Sequence, residues 1–178
     1  MKRAALGLVL AAALVALVLP EFGRYAAERR VGWATNAFRA LLDRAGDADT
    51  ARNVAGVGEI ALGAAAKLPG DPRPWVLAGS SCLVTNRPER ALEYYREAFA
   101  TGERAEIDLN LGRAYGMIHR DDSARAAYVR AGWVSPEIAA TLPPEVREPT
   151  FSEIGRLEAE LTAGRLEAPP PLPSEERR

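Results

Sequence analysis

Side chains able to carry chemistry are scarce in this chain. It has one cysteine, Cys82, and one histidine, His119, in 178 residues. A single cysteine excludes an intrachain disulfide framework and leaves the redox compartment open. A single histidine has no partner with which to build a histidine-based metal site. Charge of one sign is also missing, since 23 basic and 24 acidic side chains give a formal net charge of −1. A nucleic-acid binder would show a basic excess gathered in a stripe, so the expected partners do not include nucleic acid. Alternating runs of β-branched residues are absent, whereas alanine and leucine are plentiful, and this composition predicts an all-α protein.

Catalytic signatures are missing as well. Gly56, Gly58 and Gly63 follow no strand pattern and precede no Gly-Lys-Ser/Thr, so they form no phosphate loop. Their expected role is to let a neighbouring helix pack closely. Glu59, Glu93, Glu97 and Glu106 lie among basic residues on predicted helices, with no carboxylate pair around an apolar cleft. No nucleophile–base arrangement and no metal-ligand spacing is present. The reading is a non-enzyme with no cofactor and no metal. Cys82 reads as a small buried hydrophobe and His119 as a solvated turn residue.

The first apolar feature is the run over residues 4–19, preceded by Lys2 and Arg3 and closed by Pro20 and Glu21. At about 1.5 Å per residue it spans roughly 24 Å, and Phe22 and Tyr25 could extend it to the headgroup level. Small residues at cleavage spacing are lacking beyond Leu19, which favours an uncleaved signal anchor over residues 1–22. The basic tail before the run places the remainder outside, so the expected setting is a single pass in a bacterial-type inner membrane, with the soluble domain on the periplasmic face. Gly7-x-x-x-Ala11 has the spacing of a helix contact, but in so alanine-rich a run that spacing arises by chance and a plain anchor is the better reading.

Residues 23–71 carry two amphipathic periods, ending at Gly46 and at Pro69-Gly70-Asp71-Pro72, and read as a degenerate helical hairpin. Asp47 and Asp49 are N-cap candidates between its helices. Residues 72–136 then say one thing twice. Trp75, Ala78, Gly79, Cys82, Ala91, Tyr95 and Ala98 recur as Asp108, Leu111, Gly112, Tyr115, Ala124, Tyr128 and Ala131, 33 positions on (112 − 79). A period near 34 with this composition marks stacked helical hairpins. Helices are predicted over 74–85, 88–100, 105–118 and 122–131, with Gly102 and Gly132 at helix ends and Asp121 as a cap. Residues 137–167 read as an irregular segment followed by a capping helix over 152–163, opened by Thr150-x-x-Glu153 or Ser152. Residues 168–178 form a Pro-rich tail expected to be disordered.

These repeats resemble the tetratricopeptide family. Its W-x-x-L-G-x-x-Y, A-x-x-x-F and P pattern is met at Trp75, Gly79, Ala91 and Tyr95, and again at Leu111, Gly112, Tyr115, Ala124, Tyr128 and Pro136. Ala78, Cys82 and Asp108 depart from it, and no proline closes the first unit. The resemblance covers residues 72–136 and implies a short helical-hairpin solenoid. It implies close packing at Gly79 and Gly112, with Tyr95 and Tyr128 wedged between successive hairpins. It also implies a concave groove lined by the first helix of each unit. In the first unit the groove positions are Arg73, Val76, Ser80, Leu83 and Val84. In the second they are Glu106, Leu109, Arg113, Gly116 and Met117. An apolar floor beside Arg73 and Arg113 suits a peptide or helix bearing a carboxylate.

The functional expectation is therefore a membrane-anchored adaptor that binds a protein or peptide partner, in envelope or secretion complex assembly by analogy with the family. The rival is a structural subunit of a membrane complex whose groove is filled by its own flanking helices. A homo-oligomer is open in either case.

Overall fold

The computed structural model describes residues 2–43, 48–166 and 170, the side chains of residues 2–12 and 48 excepted. Among the described residues eight helices follow one another: α1 (Lys2–Leu42), α2 (Ala48–Ala65), α3 (Arg73–Val84), α4 (Pro88–Ala100), α5 (Ala105–Met117), α6 (Asp121–Val134), α7 (Pro136–Ala139) and α8 (Pro144–Thr162). No strand occurs among the described residues. Helices α1 to α7 each pack chiefly on their neighbours in sequence, as hairpins stacked side by side do, and α8 packs back on α6. The central core lies between α3, α4, α5 and α6, around Tyr95, Ile107, Leu111 and Tyr115. Smaller clusters join α1 to α2 and α3 through Ala34, Val57, Ala61 and Leu77, and join α5 and α6 to the C-terminal helices.

The expected anchor does not stand. Among the described residues no helix is long and apolar enough to cross a membrane. Pro20, read as the end of the apolar run, lies inside α1, which continues through Glu21, Arg24, Glu28, Arg29 and Arg30. The signal anchor over residues 1–22, the transmembrane helix and the single-pass inner-membrane placement are all corrected by this finding. The Gly7–Ala11 spacing lies outside the described side chains, as Gly46 and Asp47 lie outside the described residues. Leu14, Leu17, Leu19 and Phe22 are exposed.

The repeat shows itself in the turns as clearly as in the helices. Asn86 and His119, again 33 apart, both take a left-handed backbone with φ of 55° and 58°. The next amide donates back across the turn in each case, Arg87 N to Cys82 O at 2.8 Å and Arg120 N to Tyr115 O at 3.0 Å. Such bonds satisfy the last carbonyls of α3 and α5, and asparagine and histidine are among the non-glycine residues that best tolerate this region. His119 is thus a turn-former as well as a solvated residue. Pro88 opens α4, where its missing N–H costs nothing.

Other expectations are revised locally. Gly132 is no helix end: it lies within α6, where a Cβ would meet Ile154 Cδ1 at 2.6 Å. Asp121 begins α6, and the preceding Arg120 is the N-cap without a side-chain cap bond, so the carboxylate acts through the helix dipole. The capping helix starts at Pro144, eight residues early, and runs through Pro149. Thr150 is buried in it and donates to the Val146 carbonyl at 2.7 Å instead of capping. Only Pro170 of the 168–178 tail is described. It is buried, and its carbonyl accepts a hydrogen bond from Arg130 Nη1 at 3.1 Å.

Candidate partner-binding groove

A glycine on the first helix of each unit faces a tyrosine on the second helix of the same unit. A Cβ on Gly79 would meet Tyr95 Cε1 at 2.7 Å, and one on Gly112 would meet Tyr128 Cδ1 at 2.5 Å. The tyrosines therefore lie against the glycines within a hairpin, and Tyr95 also belongs to the core shared with Ile107 and Leu111 of the next one. The reason for the glycine contact is the 16-residue separation, which brings the two positions level across the α3–α4 and α5–α6 turns. Tyr95 is wholly buried, and its hydroxyl shares a 3.1 Å hydrogen bond with Ser80 Oγ. Burial pushes the Tyr95 phenol far above its usual range, with the Ser80 bond and the nearby Arg113 charge pulling the other way. Burial raises Tyr128 as well, again opposed by Arg113.

The remaining packing residues fall as follows. Ala91, Leu111, Tyr115 and Ala124 are buried in the central core, and Trp75 packs beside Tyr94 with ring centroids 6.3 Å apart. Pro136 is exposed at the start of α7. Cys82 is buried among these residues, and burial raises its thiol above the usual range. Asp108, in the place of Trp75, is wholly buried as well.

Beside Ser80 the concave side opens into a hollow of about 450 Å³. Three first helices line it: Thr35, Phe38 and Arg39 from α1, Val76, Leu77 and Ser80 from α3, and Glu106 and Ile107 from α5. Arg73 and Arg104 stand at the starts of the latter two. Asp71 fixes Arg73 by accepting from its Nε at 3.0 Å, its Nη2 at 2.6 Å and its backbone N–H at 3.0 Å. The Arg73 hydrogen bonds hold the Asp71 carboxyl below its usual range, against a smaller opposing effect of burial. Arg39 and Arg104 form no close ion pair among the described residues, Arg104 helps to lower the Asp71 carboxyl from a distance, and Glu106 adds one carboxylate, so the hollow presents an apolar floor with a mainly cationic edge.

Four predicted groove residues, Arg73, Val76, Ser80 and Glu106, meet in this hollow. The other six do not. Leu109 is only 6% exposed and packs with Ala131, Ala139 and Leu142, because α7 and the following turn cover the place where a further first helix would stand. Leu83 packs against the central core, and Val84 and Met117 are exposed near the helix ends. Arg113 is exposed and bonded to Asn110 at 3.0 Å. Gly116 faces a separate hollow of about 270 Å³ beside Tyr128 and α8. Thr35, Phe38 and Arg39 were missed because the first hairpin lacks the small-Gly pair. Their signal was available in phase, since Ala34, Phe38 and Leu41 repeat at helical spacing and the neighbouring positions 35 and 39 border that face.

Compared with models of protein families, with curated proteins and with solved structures, the chain matches none.

Proposed function

We propose that this chain is an adaptor of the tetratricopeptide kind that holds a segment of a partner protein in the concave hollow. One observation carries the reading. Side chains from the first helices of three successive hairpins, α1, α3 and α5, converge on a single apolar hollow. Three arginines stand at its edge, and among the described residues only Arg73 is ion-paired there, to Asp71. Apolar floor and cationic edge together suit an extended or helical segment with an acidic group, the floor supplying affinity and the guanidinium forks fixing orientation. Thr35 and Ser80 add short hydroxyls at its border, Thr35 already donating to the Val31 carbonyl at 2.9 Å.

The test is photo-crosslinking from Ser80 in native extract, followed by identification of the captured segment. Val76→Glu and the Arg39→Glu/Arg104→Glu pair should abolish capture, the arginine pair while leaving the helical melt unchanged, because both of its side chains are exposed. Undiminished capture by both variants would sink the proposal and turn attention to the outer faces of the hairpins.

A further inference from the structure

Pro170 is held close to the edge of the concave hollow. Its carbonyl accepts from Arg130 Nη1 at 3.1 Å, and the same guanidinium pairs through Nη2 with Glu103 at 2.6 Å. The residue after Glu103 is Arg104, which lines the hollow. Arg104 has an extended backbone, with φ of −148° and ψ of 139°, and in such backbone successive side chains point to opposite sides. Glu103 accordingly meets Arg130 of α6, while Arg104 faces α3, where its charge acts on Asp71. Only the α4–α5 connection separates Pro170 from the hollow. That connection is open above: Gly102 is exposed, and a Cβ there would have nothing within 4 Å.

Beyond Pro170 the sequence runs Pro171-Leu172-Pro173-Ser174 and then Glu175, Glu176, Arg177 and Arg178. A proline-rich spacer advances about 3.1 Å per residue, so Glu175 reaches roughly 15 Å from Pro170. Between Pro170 and Arg104 stand the Arg130 guanidinium, the Glu103 side chain and one peptide step of about 3.8 Å. The charges agree with the reach. Arg39, Arg73 and Arg104 border the hollow, and Glu106 is its one lining carboxylate among the described residues. Two acids arriving first meet the cationic edge, and the two arginines behind them find Glu106.

We infer that residues 171–178 cross the α4–α5 connection and lay Glu175 and Glu176 on Arg104, where they compete with the acidic group of a partner. This rests on the adaptor reading above and supplies its regulation, since the chain carries its own competitor tethered at Pro170. So short a tether gives an effective concentration in about the millimolar range, enough for weak surface pairs to reduce partner binding without abolishing it.

The test uses the full chain with a photoreactive residue in place of Ser174. In purified protein its links should fall on residues 73–80 and 104–107, and Glu175→Lys/Glu176→Lys should reduce them by about fivefold or more through like-charge opposition. Adding Arg104→Glu to that pair should restore them, because the charges match again. Mixing isotopically heavy and light chains separates links within a chain from links between copies. In native extract, capture of the partner from Ser80 should rise about two- to fivefold in the Glu175→Lys/Glu176→Lys chain. Links scattered over the outer faces, links between copies, links indifferent to the charge reversal, or capture equal in the two chains would each overturn the inference and leave the adaptor reading standing. No capture by either chain, with the Ser174 links in place, would instead remove the adaptor reading and the competition with it.

Discussion

Replacing Gly79 by alanine adds one methyl group where Tyr95 leaves no room for it. The new Cβ would stand 2.7 Å from Cε1 and 2.8 Å from Cζ of a ring that is wholly buried and tied to Ser80. Overpacking of this kind costs about 1–3 kcal/mol. Alanine also gains about 1 kcal/mol of helix propensity over glycine, so the net loss is roughly 0–2 kcal/mol. Gly155 lies mid-helix in α8, where an added methyl would have nothing within 4 Å. It supplies the matched control, and its replacement by alanine should raise stability by about 1 kcal/mol. The quantity to measure is the gap in melting temperature between Gly79→Ala and Gly155→Ala, followed by far-ultraviolet circular dichroism. The gap of about 1–3 kcal/mol, at about 2–4 °C per kcal/mol, should come to roughly 2–12 °C. Gly112→Ala should fall between the two, because Tyr128 is only half-buried and can swing aside. A second cycle tests the cause: Tyr95→Leu should make Gly79→Ala less damaging than it is in the wild type. If Gly79→Ala melts as high as Gly155→Ala, the ring-over-glycine packing is wrong.

Three further outcomes are expected. Cys82 should react with a thiol reagent only as fast as the α3–α6 core opens, so mild denaturant should speed labelling steeply and free-thiol rates in buffer would refute its burial. His119→Gly should stabilise the chain by about 1 kcal/mol in a thermal melt, since glycine takes the left-handed backbone at φ 58° without the Cβ clash; a loss would show that the imidazole itself matters. The folded carboxyl of Asp71 is held below its unfolded value by Arg73, so its stabilisation is present above the unfolded value near 4 and is lost as pH falls through the lower folded one. Asp71→Asn should therefore flatten the acid limb of the stability curve, by no more than about 1 kcal/mol given the exposure of Arg73, and an unchanged limb would count against the pair.

Helical phase and the 33-residue offset were enough to place α2 to α6 within a few residues, because apolar spacing agrees with the openings at Pro74 and Pro88 and with the stop at Gly102, although α6 runs on through Gly132. Contacts were less legible than elements. Gly79 and Tyr95 were each expected to pack, the glycine at the helix crossing and the ring between hairpins, but their contact with one another was not read, because spacing alone does not show which positions lie level across a turn. Of the three glycines in α2 only Gly58 meets a neighbour, with a Cβ position 2.9 Å from Ser81 Cβ, while Gly56 and Gly63 face open space. That division depends on which side of α2 meets α3. The two prolines inside helices misled for a physical reason: Pro20 and Pro149 each forfeit one backbone hydrogen bond, and the surrounding Ala, Leu and Glu still make helix the better state. Leu109 misled because its groove position assumes an open side, which α7 closes.

Arg130 reaches two distant parts of the chain at once. Its guanidinium pairs with Glu103 just before α5, with Nη2 to Oε2 at 2.6 Å, and donates to the carbonyl of Pro170 beyond α8. Side-chain exposure is 15% for Arg130 and 29% for Glu103, so this clasp works largely out of water. Sixty-seven residues of chain (170 − 103) are thereby looped shut by one cation. Whatever loosens the final hairpin must also let go of Pro170, and the ease with which a protease trims the chain after α8 becomes a gauge of how often that hairpin breathes.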